Sequence, residues 1–459
     1  MKTTSTQSVS RPALPRRSFL RASVLAAGAA LTELPFAITT HAANDDPIRI
    51  GLIGCGGRGT GALLNALGVR TKVIYPAAGY HTEDVAAGAG CSGKNIKVVA
   101  LADVFPDRLN RCRGQLRQAG IEVPPDQCFT GFDAYRKLLA IPEINYVIQA
   151  TPPHFRPAHT LAAIEAGKNI FIEKPAAVDP TGVRTLMKAA RLAQEKNLGI
   201  VAGTQRRHQR GYIEQIQRIR DGELGELMYG HCYWNGGVIW VIERQPGWSD
   251  MEWQLRNWNY FTWLSGDHIV EQHVHNLDVM NWAFGMHPVK ATGLGGRQAR
   301  KHPIHGHIYD HFAVAYEYPN GLMMFSQCRQ MAGTEGKVEE IIVGTRGRAL
   351  GTFRGNYIWY RGGGRRPWRA DKSHEPNPYE QEHRDFIASI RAGRPLNEGR
   401  RVAESTLTGI MGRESCYSGQ SIEWEQALNS KERLGPAKYE FGPLPFPEVA
   451  IPGKYRMPA

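Results

Sequence analysis

Lys174 and His275 are the side chains of this sequence best placed, by type and by neighbours, to move a proton near neutrality. Lys174 lies in Asn169-Ile-Phe-Ile-Glu-Lys-Pro175, directly after Glu173. His275 lies in Gly266-Asp-His-Ile-Val-Glu271-Gln-His273-Val-His275-Asn-Leu-Asp278. A free lysine, with a pKa of about 10.4, is a poor base, but partial burial beside a cation lowers it towards a useful range. A free imidazole starts near about 6.5 and needs little tuning. On one continuous helix Glu271, His275 and Asp278 fall at i, i+4 and i+7 and share a face, with His273 pointing elsewhere. Such a face carries proton transfer or binds a metal. Both stretches also fit plainer roles, a solvated Glu-Lys pair at a strand end and a solvated polar helix face.

The elements around Lys174 decide between these roles. Residues 170–172 are an apolar, strand-forming run, preceded by an Ala/Leu-rich helical pattern over 158–166 that stops at Gly167 and followed by Pro175. In an open α/β sheet ligands bind at the carboxyl ends of strands, where Glu173 and Lys174 emerge. Far upstream, Ile48-Arg-Ile-Gly-Leu-Ile53 runs into Gly54-Cys-Gly56-Gly-Arg-Gly59 and then a helical stretch over 60–67. Strand, G-x-G-x-x-G turn and helix together predict a dinucleotide site: the glycines allow a tight turn and close approach, and the helix start offers amides to a pyrophosphate. Gly54, Gly56, Gly57, Arg58 and Gly59 are therefore candidate cofactor residues. Asp103 ends the next strand, Lys97-Val-Val-Ala-Leu-Ala-Asp103, where an acid binds ribose hydroxyls and repels a 2′-phosphate, so NAD is expected. Arg108, five residues on, leaves NADP open. The acid arrives late because residues 69–95 form a Gly/Ala-rich insertion. Tyr146-Val-Ile-Gln-Ala150 is a further strand, and the turn after it adds Thr151, Pro152 and His154 to the cofactor set, with Glu173 and Lys174. A helix over 181–197 and a strand over 198–202 complete an alternation that predicts a doubly wound parallel Rossmann sheet.

Beyond Gly203 short strand-like runs (227–234, 311–318, 322–328, 339–343) separated by Gly, Asn and Pro predict a mostly antiparallel sheet. Six of the ten tryptophans, Trp234, Trp240, Trp248, Trp253, Trp258 and Trp263, crowd the stretch between the first two. They fit core or subunit packing and equally a wall for stacking sugar rings, with Arg256, Asn257 and Trp258 as candidate substrate residues. His302, His305, His307 and His311 with Asp310 have a mixed spacing that reads as loop and sheet surface, and no metal is assigned.

Composition removes other classes. The chain of 459 residues is long enough for two domains with real cores, and its +13 formal charge includes five basic residues among the first 21. Basic clusters such as Arg206-Arg207 and Arg365-Arg366 with Arg369 lack the interleaved aromatics of a nucleic-acid groove, so no nucleic-acid partner is expected. Seven scattered cysteines without Cys-x-x-Cys spacing suggest neither a zinc site nor a disulfide framework. Arg16-Arg17-Ser18-Phe19-Leu20-Arg21, the apolar run over 24–38 and Thr40-His41-Ala42 read as a twin-arginine export signal, interrupted by Glu33 and Pro35 and too short to span a bilayer. The expected organisation is a signal over 1–42, a dinucleotide domain over 43–203, a substrate and oligomerisation domain over 204–430 and a tail over 431–459, in a periplasmic or otherwise exported protein.

The glycine turn, Asp103, Glu173-Lys174-Pro175 and the His275/Asp278 stretch together resemble the glucose-fructose oxidoreductase/inositol dehydrogenase family, Gfo/Idh/MocA, and its exported bacterial members in particular. The resemblance implies an N-terminal Rossmann domain and a C-terminal α/β domain whose open sheet often mediates dimers or tetramers. It also implies an oxidoreductase acting on a sugar or polyol CH–OH group through bound nicotinamide, with Lys174 and His275 around the reacting carbinol and Glu271 where the family carries aspartate. His275 is expected as acid/base, Lys174 as donor and relay partner, and Glu271 or Asp278 as orienter, an order that is reversible. A redox-neutral NAD-dependent glycosidase or lyase and a non-catalytic sugar-binding protein are the alternatives; the intact Lys174 favours the oxidoreductase.

Overall fold

The computed structural model describes residues 46–73, 83–362 and 364–458, which belong to one compact unit. The proposed export signal and the centre of the 69–95 insertion lie outside the described residues. The strands in chain order are β1 (Ile48–Ile53), β2 (Thr71–Val73), β3 (Glu83–Val85), β4 (Ile96–Asp103), β5 (Cys128–Thr130), β6 (Tyr146–Gln149), β7 (Asn169–Ile172) and β8 (Ile200–Ala202). After them come β9 (Leu227–Gly236), β10 (Lys290–Gly296), β11 (His311–Glu317), β12 (Met323–Gln330), β13 (Lys337–Gly344), β14 (Gly347–Thr352), β15 (Gly355–Tyr360), β16 (Trp368–Arg369) and β17 (Ile422–Glu423).

The first sheet has the order β5-β4-β1-β6-β7-β8, every pair parallel, as the βα alternation predicts. Its central strands are apolar on both faces because helices cover both: Ile50, Leu52, Ile148 and Phe171 are fully buried. The strand order turns back between β1 and β6, and the carboxyl ends of these two strands open the crevice where such sheets bind ligands. The insertion contributes the β2-β3 pair, and Glu83 is buried against the helix Gly57–Ala66, accepting from Asn65 Nδ2 at 2.9 Å.

The second sheet runs β16-β15-β14-β13-β9-β12-β11-β10-β17. All neighbours are antiparallel except β9 and β12, so it is mostly antiparallel. The sequence pattern missed β10, β14, β15 and the two-residue strands β16 and β17. Lys290-Ala-Thr-Gly-Leu-Gly-Gly296 carries three glycines and little alternation, and its pairing to β11 rather than its composition makes it a strand. The helix Gly399–Ser418 packs beneath this sheet, with Tyr316 Oη donating to the Thr408 carbonyl at 3.0 Å. The helix Pro378–Arg391 instead returns to the parallel sheet. Its Phe386 meets Tyr146 edge-on at 5.3 Å, and its His383 Nδ1 hydrogen-bonds Tyr146 Oη at 2.7 Å. Among the described residues no helix is long and apolar enough to cross a membrane.

Candidate active site

A cleft of about 530 Å³ runs from the glycine turn to Lys174 and His275. At one end, β1 stops at Ile53 and Gly54 takes φ +95°, where a Cβ would lie 2.8 Å from the Ala150 and Thr151 backbone. A Cβ on Gly59 would lie 1.8 Å from the Gly54 carbonyl oxygen, so only glycine lets the helix start this close to the turn. A Cβ on Gly56, by contrast, would meet nothing within 4 Å, and the helix Gly57–Ala66 has no side-chain cap. Its first amides are thus available to an anionic ligand. Asp103 closes β4 on the same cleft, with Oδ2 accepting from the Cys55 amide at 2.6 Å and Oδ1 from the Phe105 amide at 2.8 Å. Burial raises its pKa, while Arg108 and these amides oppose the rise. An open backbone at Gly56, an uncapped helix start and a strand-end acid fit a dinucleotide.

At the other end, β7 delivers Glu173 and Lys174. Glu173 accepts an ion pair from Arg58 Nε at 3.0 Å, so Arg58 and Glu173, expected as cofactor contacts, first of all fasten the lysine turn to the glycine helix. The Arg58 guanidinium also lies 5.3 Å from the Tyr379 ring centre. Lys174 Nζ donates to the Glu271 carbonyl at 2.7 Å, to Glu271 Oε1 at 3.1 Å and to Gln272 Oε1 at 3.2 Å. His275 is buried against Trp234, with ring centres 5.6 Å apart and nearly parallel, and it faces the cleft. Neither of its ring nitrogens has a hydrogen-bond partner among the described residues. Burial, reinforced by the charges of Lys174, Arg206 and His273, pushes its pKa well below the ordinary imidazole value. The expectation of a histidine needing little tuning is therefore corrected: His275 is neutral at physiological pH and holds a proton weakly.

Asp278 does not join this group, and the reason is a break in the helix. Glu271 ends one short helix, His268–Glu271, and His275 begins the next, Val274–Phe284, so the continuous i, i+4, i+7 face does not exist. Asp278 is turned away and almost fully buried; it accepts from Arg207 Nε at 2.8 Å, Arg401 Nη1 at 3.1 Å and Ser405 Oγ at 2.8 Å. Burial opposes its charge, but these donors outweigh burial and hold its pKa down at about 2. Asp278 is an anchor between helices, not an orienter. His273 does point elsewhere, hydrogen-bonding Ser326 Oγ at 2.7 Å.

Three further expectations are corrected. His154 lies outside the cleft lining, with Nε2 bonded to Tyr439 Oη at 2.8 Å; burial and then Arg433 lower its pKa to about 4. Asn257 is fully buried and structural: Oδ1 accepts from the Ile242 amide at 3.0 Å and Nδ2 donates to the Ile304 carbonyl at 2.8 Å. Arg256 does line the cleft, but its guanidinium is spent on Asp107, with both bonds at 3.0 Å, and lies 3.9 Å from the Phe105 ring centre. It closes the Asp103 end and not the carbinol end. Trp258 lines the cleft as expected, 5.8 Å from Trp240, and Thr151 and Pro152 line it too. The tryptophans divide by role, since Trp253 and Trp263 are buried, with Nε1 donating to the Ile242 carbonyl at 3.0 Å and to Gln254 Oε1 at 2.7 Å. In the histidine-rich run, His311 Nδ1 pairs with Asp310 Oδ1 at 2.8 Å.

Sequence reasoning missed Gln205, Gln272, Phe353 and Tyr379, all lining the cleft. Gln272 had a signal, being next to Glu271. The others arrive from separate elements and carry none; Gln205 Nε2 meets Tyr379 Oη at 3.2 Å across 174 positions of sequence.

Comparison with known proteins agrees with this geometry. The family model described as "Oxidoreductase family, NAD-binding Rossmann fold" matches residues 48–200, and the GFO/IDH/MocA C-terminal domain matches residues 213–350. An uncharacterized oxidoreductase of Streptococcus pneumoniae is 29% identical over 184 residues, 40% of this chain and 46% of that protein. An inositol 2-dehydrogenase of Acidothermus cellulolyticus is 25% identical over 259 residues, 56% of this chain and 60% of that protein. The chain thus spans about half the length of the curated relatives it matches. The crystal structure of aldose-aldose oxidoreductase from Caulobacter crescentus, 17% identical, superposes with a TM-score of 0.61 over 82% of this chain and 99% of that one, a likeness of fold. With both halves matched by the two domains of one family, in an arrangement with a parallel dinucleotide sheet followed by a mostly antiparallel one, the chain belongs to the Gfo/Idh/MocA oxidoreductase family.

Proposed function

We propose that the protein is an oxidoreductase that moves hydride between a sugar or polyol carbinol and a bound nicotinamide dinucleotide. The observation that carries this reading is one continuous cleft with the glycine turn and Asp103 at one end and Lys174 and His275 at the other. The inositol 2-dehydrogenase and aldose-aldose oxidoreductase relatives support the substrate class. When bound, the nicotinamide supplies the hydride acceptor. This chain's residues do the rest. Neutral His275 accepts the hydrogen bond of the carbinol hydroxyl and orients it. Lys174, held by Glu271 and Gln272, takes that proton as it gives one of its own to Glu271. This reverses the order expected of the two, because a buried imidazole that holds a proton weakly is the poorer resting place. Trp234 and Phe353 offer apolar faces for sugar C–H groups.

The cofactor is NAD, on the strength of Asp103, with NADP as the alternative left by Arg108. Reduction of added NAD by a panel of inositols and aldoses, one dihydronicotinamide per carbonyl product, tests the activity. Titration of NAD and NADP tests the cofactor. The Asp103→Ala protein is expected to lose NAD preference by about tenfold or more, the value of one lost charge-assisted hydrogen bond at roughly 1.5–3 kcal/mol. An unchanged preference counts against Asp103.

Export through Arg16-Arg17 and assembly into a homo-oligomer belong to the same proposal. Export of a folded protein lets it carry its cofactor outside the cytoplasm. The outer face of the second sheet, where Tyr229 and Phe325 are exposed on adjacent strands, supports assembly. Cell fractionation of the wild type and an Arg16→Lys/Arg17→Lys chain, with the solution mass of the exported form, checks both. A protein retained in the cytoplasm, or monomeric, contradicts the respective part.

A further inference from the structure

We propose that Glu271 is the proton exit of the site, passing the carbinol proton to water held in a second hollow behind the cleft. The inference rests on the oxidoreductase reading and adds a route that this reading leaves open. Oxidation of the carbinol breaks its C–H bond, the electron pair leaving with hydride to reduce the nicotinamide. It also breaks the O–H bond as the carbonyl forms, and that proton stays on the protein. It does not rest on His275, whose burial and cationic neighbours disfavour it. Lys174 Nζ hands a proton to Glu271 and takes the carbinol proton in return, so the lysine ends with the charge it began with. Glu271 is then a neutral acid that must release its proton before the next turnover.

The geometry points to where that proton goes. Glu271 lines the main cleft and also a separate hollow of about 20 Å³, bounded by Gln272, Asn259 and Gln330 and by Trp240 and Trp258. That volume suits a water, which needs about 10–15 Å³ and two to four polar partners; it is far too small for a sugar ring. Glu271 Oε1 bonds to Lys174, while Oε2 has no hydrogen-bond partner among the described residues. The rim of the hollow includes Gly237, which is exposed, so the path ends in solvent. The Glu271 side chain thus reaches from Lys174 to the hollow.

The test reads hydride transfer and proton release together. Protein loaded with NAD is mixed with a polyol it oxidises, in weak buffer, following dihydronicotinamide absorbance and a pH indicator. In the wild type the two signals are expected to rise in step. In Glu271→Gln, which keeps a hydrogen bond to Lys174 but takes up no proton, the amine cannot shed its proton to receive the carbinol's, so both signals should slow by about tenfold or more, the low end of what positioned proton transfer contributes. Added imidazole, a small diffusible carrier, should restore them. Should Glu271→Gln not fold, Glu271→Asp carries the test, its shorter arm giving a smaller slowing that imidazole also relieves. Variants that form dihydronicotinamide at the wild-type rate, or a slowing that imidazole leaves untouched, overturn the exit role. Absence of any dihydronicotinamide from wild type with the whole panel overturns the proposed function and this inference with it, whereas wild-type rates in the variants overturn this inference alone.

Discussion

Lys174→Met is expected to lower the rate of carbinol oxidation by about 10²- to 10⁴-fold, the usual contribution of a positioned acid–base group, or roughly 3–5 kcal/mol of barrier. The amine makes three hydrogen bonds, all to Glu271 and Gln272, at the lip of the cleft. Methionine has nearly the same length and fills the same volume, so folding should survive. Dinucleotide affinity should also survive, because the pyrophosphate end is built from Gly54, Gly56 and the start of the helix Gly57–Ala66, on other elements. If Lys174 formed only a surface ion pair, the loss would be at most about 1 kcal/mol of stability and no rate. The same single-turnover assay across pH examines His275. With its pKa well below the ordinary imidazole value, kcat/KM should show no acid limb near about pH 6.5, the position of an unperturbed histidine. A limb there that vanishes in His275→Asn would contradict a neutral, buried His275.

The largest stability effect is expected at Asp278, which the sequence pattern places in the catalytic group and the structure places outside it. Asp278→Ala should destabilise the fold by about 3–5 kcal/mol, as removal of one partner from a buried ion pair typically does. The physical reason lies with what remains. Arg207 is pressed towards its neutral form by burial and by Arg401 beside it, and Asp278 is the anion between the two. Arg401 keeps Glu398, at 2.6 Å, whereas among the described residues Arg207 keeps the Asp278 backbone carbonyl, the face of Trp282 and the more distant charge of Glu398. The sign of the pH dependence follows. A carboxyl whose folded pKa is depressed to about 2 contributes stability that is full above its unfolded value near about 4 and is lost as pH falls through about 2. That contribution is about 2 kcal/mol, from just under two pKa units at about 1.36 kcal/mol each. Urea unfolding from neutral pH down to about pH 2 should therefore show wild type losing this increment between roughly pH 4 and 2, with Asp278→Asn lacking it throughout. Equal acid sensitivity of the two proteins would contradict the anchoring role, and loss of kcat without loss of stability would return Asp278 to catalysis.

Asp278 also marks how far the sequence could be read. Wherever local pattern and fold agree, the reading holds. The glycine turn, the acid at the end of β4 and the lysine after β7 are each fixed by one strand and its immediate turn, and the parallel order of the sheet follows from their alternation with helices. Asp278 fails because the i, i+4, i+7 argument assumes an unbroken helix. Gln272 and His273 interrupt it, and the interruption lets Glu271 and His275 reach the cleft while Asp278 faces Arg207 and Arg401. His154, Asn257 and Arg256 fail for a different reason. Each is engaged by a partner distant in sequence, Tyr439, Ile304 and Asp107 respectively, and no local spacing announces such partners. The tryptophans were ambiguous for the same cause. Trp253 and Trp263 are core and Trp240 and Trp258 are cleft wall, a division set by how the loop folds back against the rest of the chain.

Direct transfer of hydrogen from a carbinol carbon to a nicotinamide held in this cleft is the central claim, and isotope transfer tests it most directly. A polyol deuterated at the carbinol carbon is incubated with NAD and the wild-type protein, and the dinucleotide is recovered for mass spectrometry and proton NMR. Deuterium at C4 of the dihydronicotinamide, on one face only, with a matching carbonyl product and a rate reduced in Lys174→Met, is the predicted result. Recovery of unlabelled dinucleotide with the label still on the polyol, at protein concentrations where NAD is bound, would contradict it.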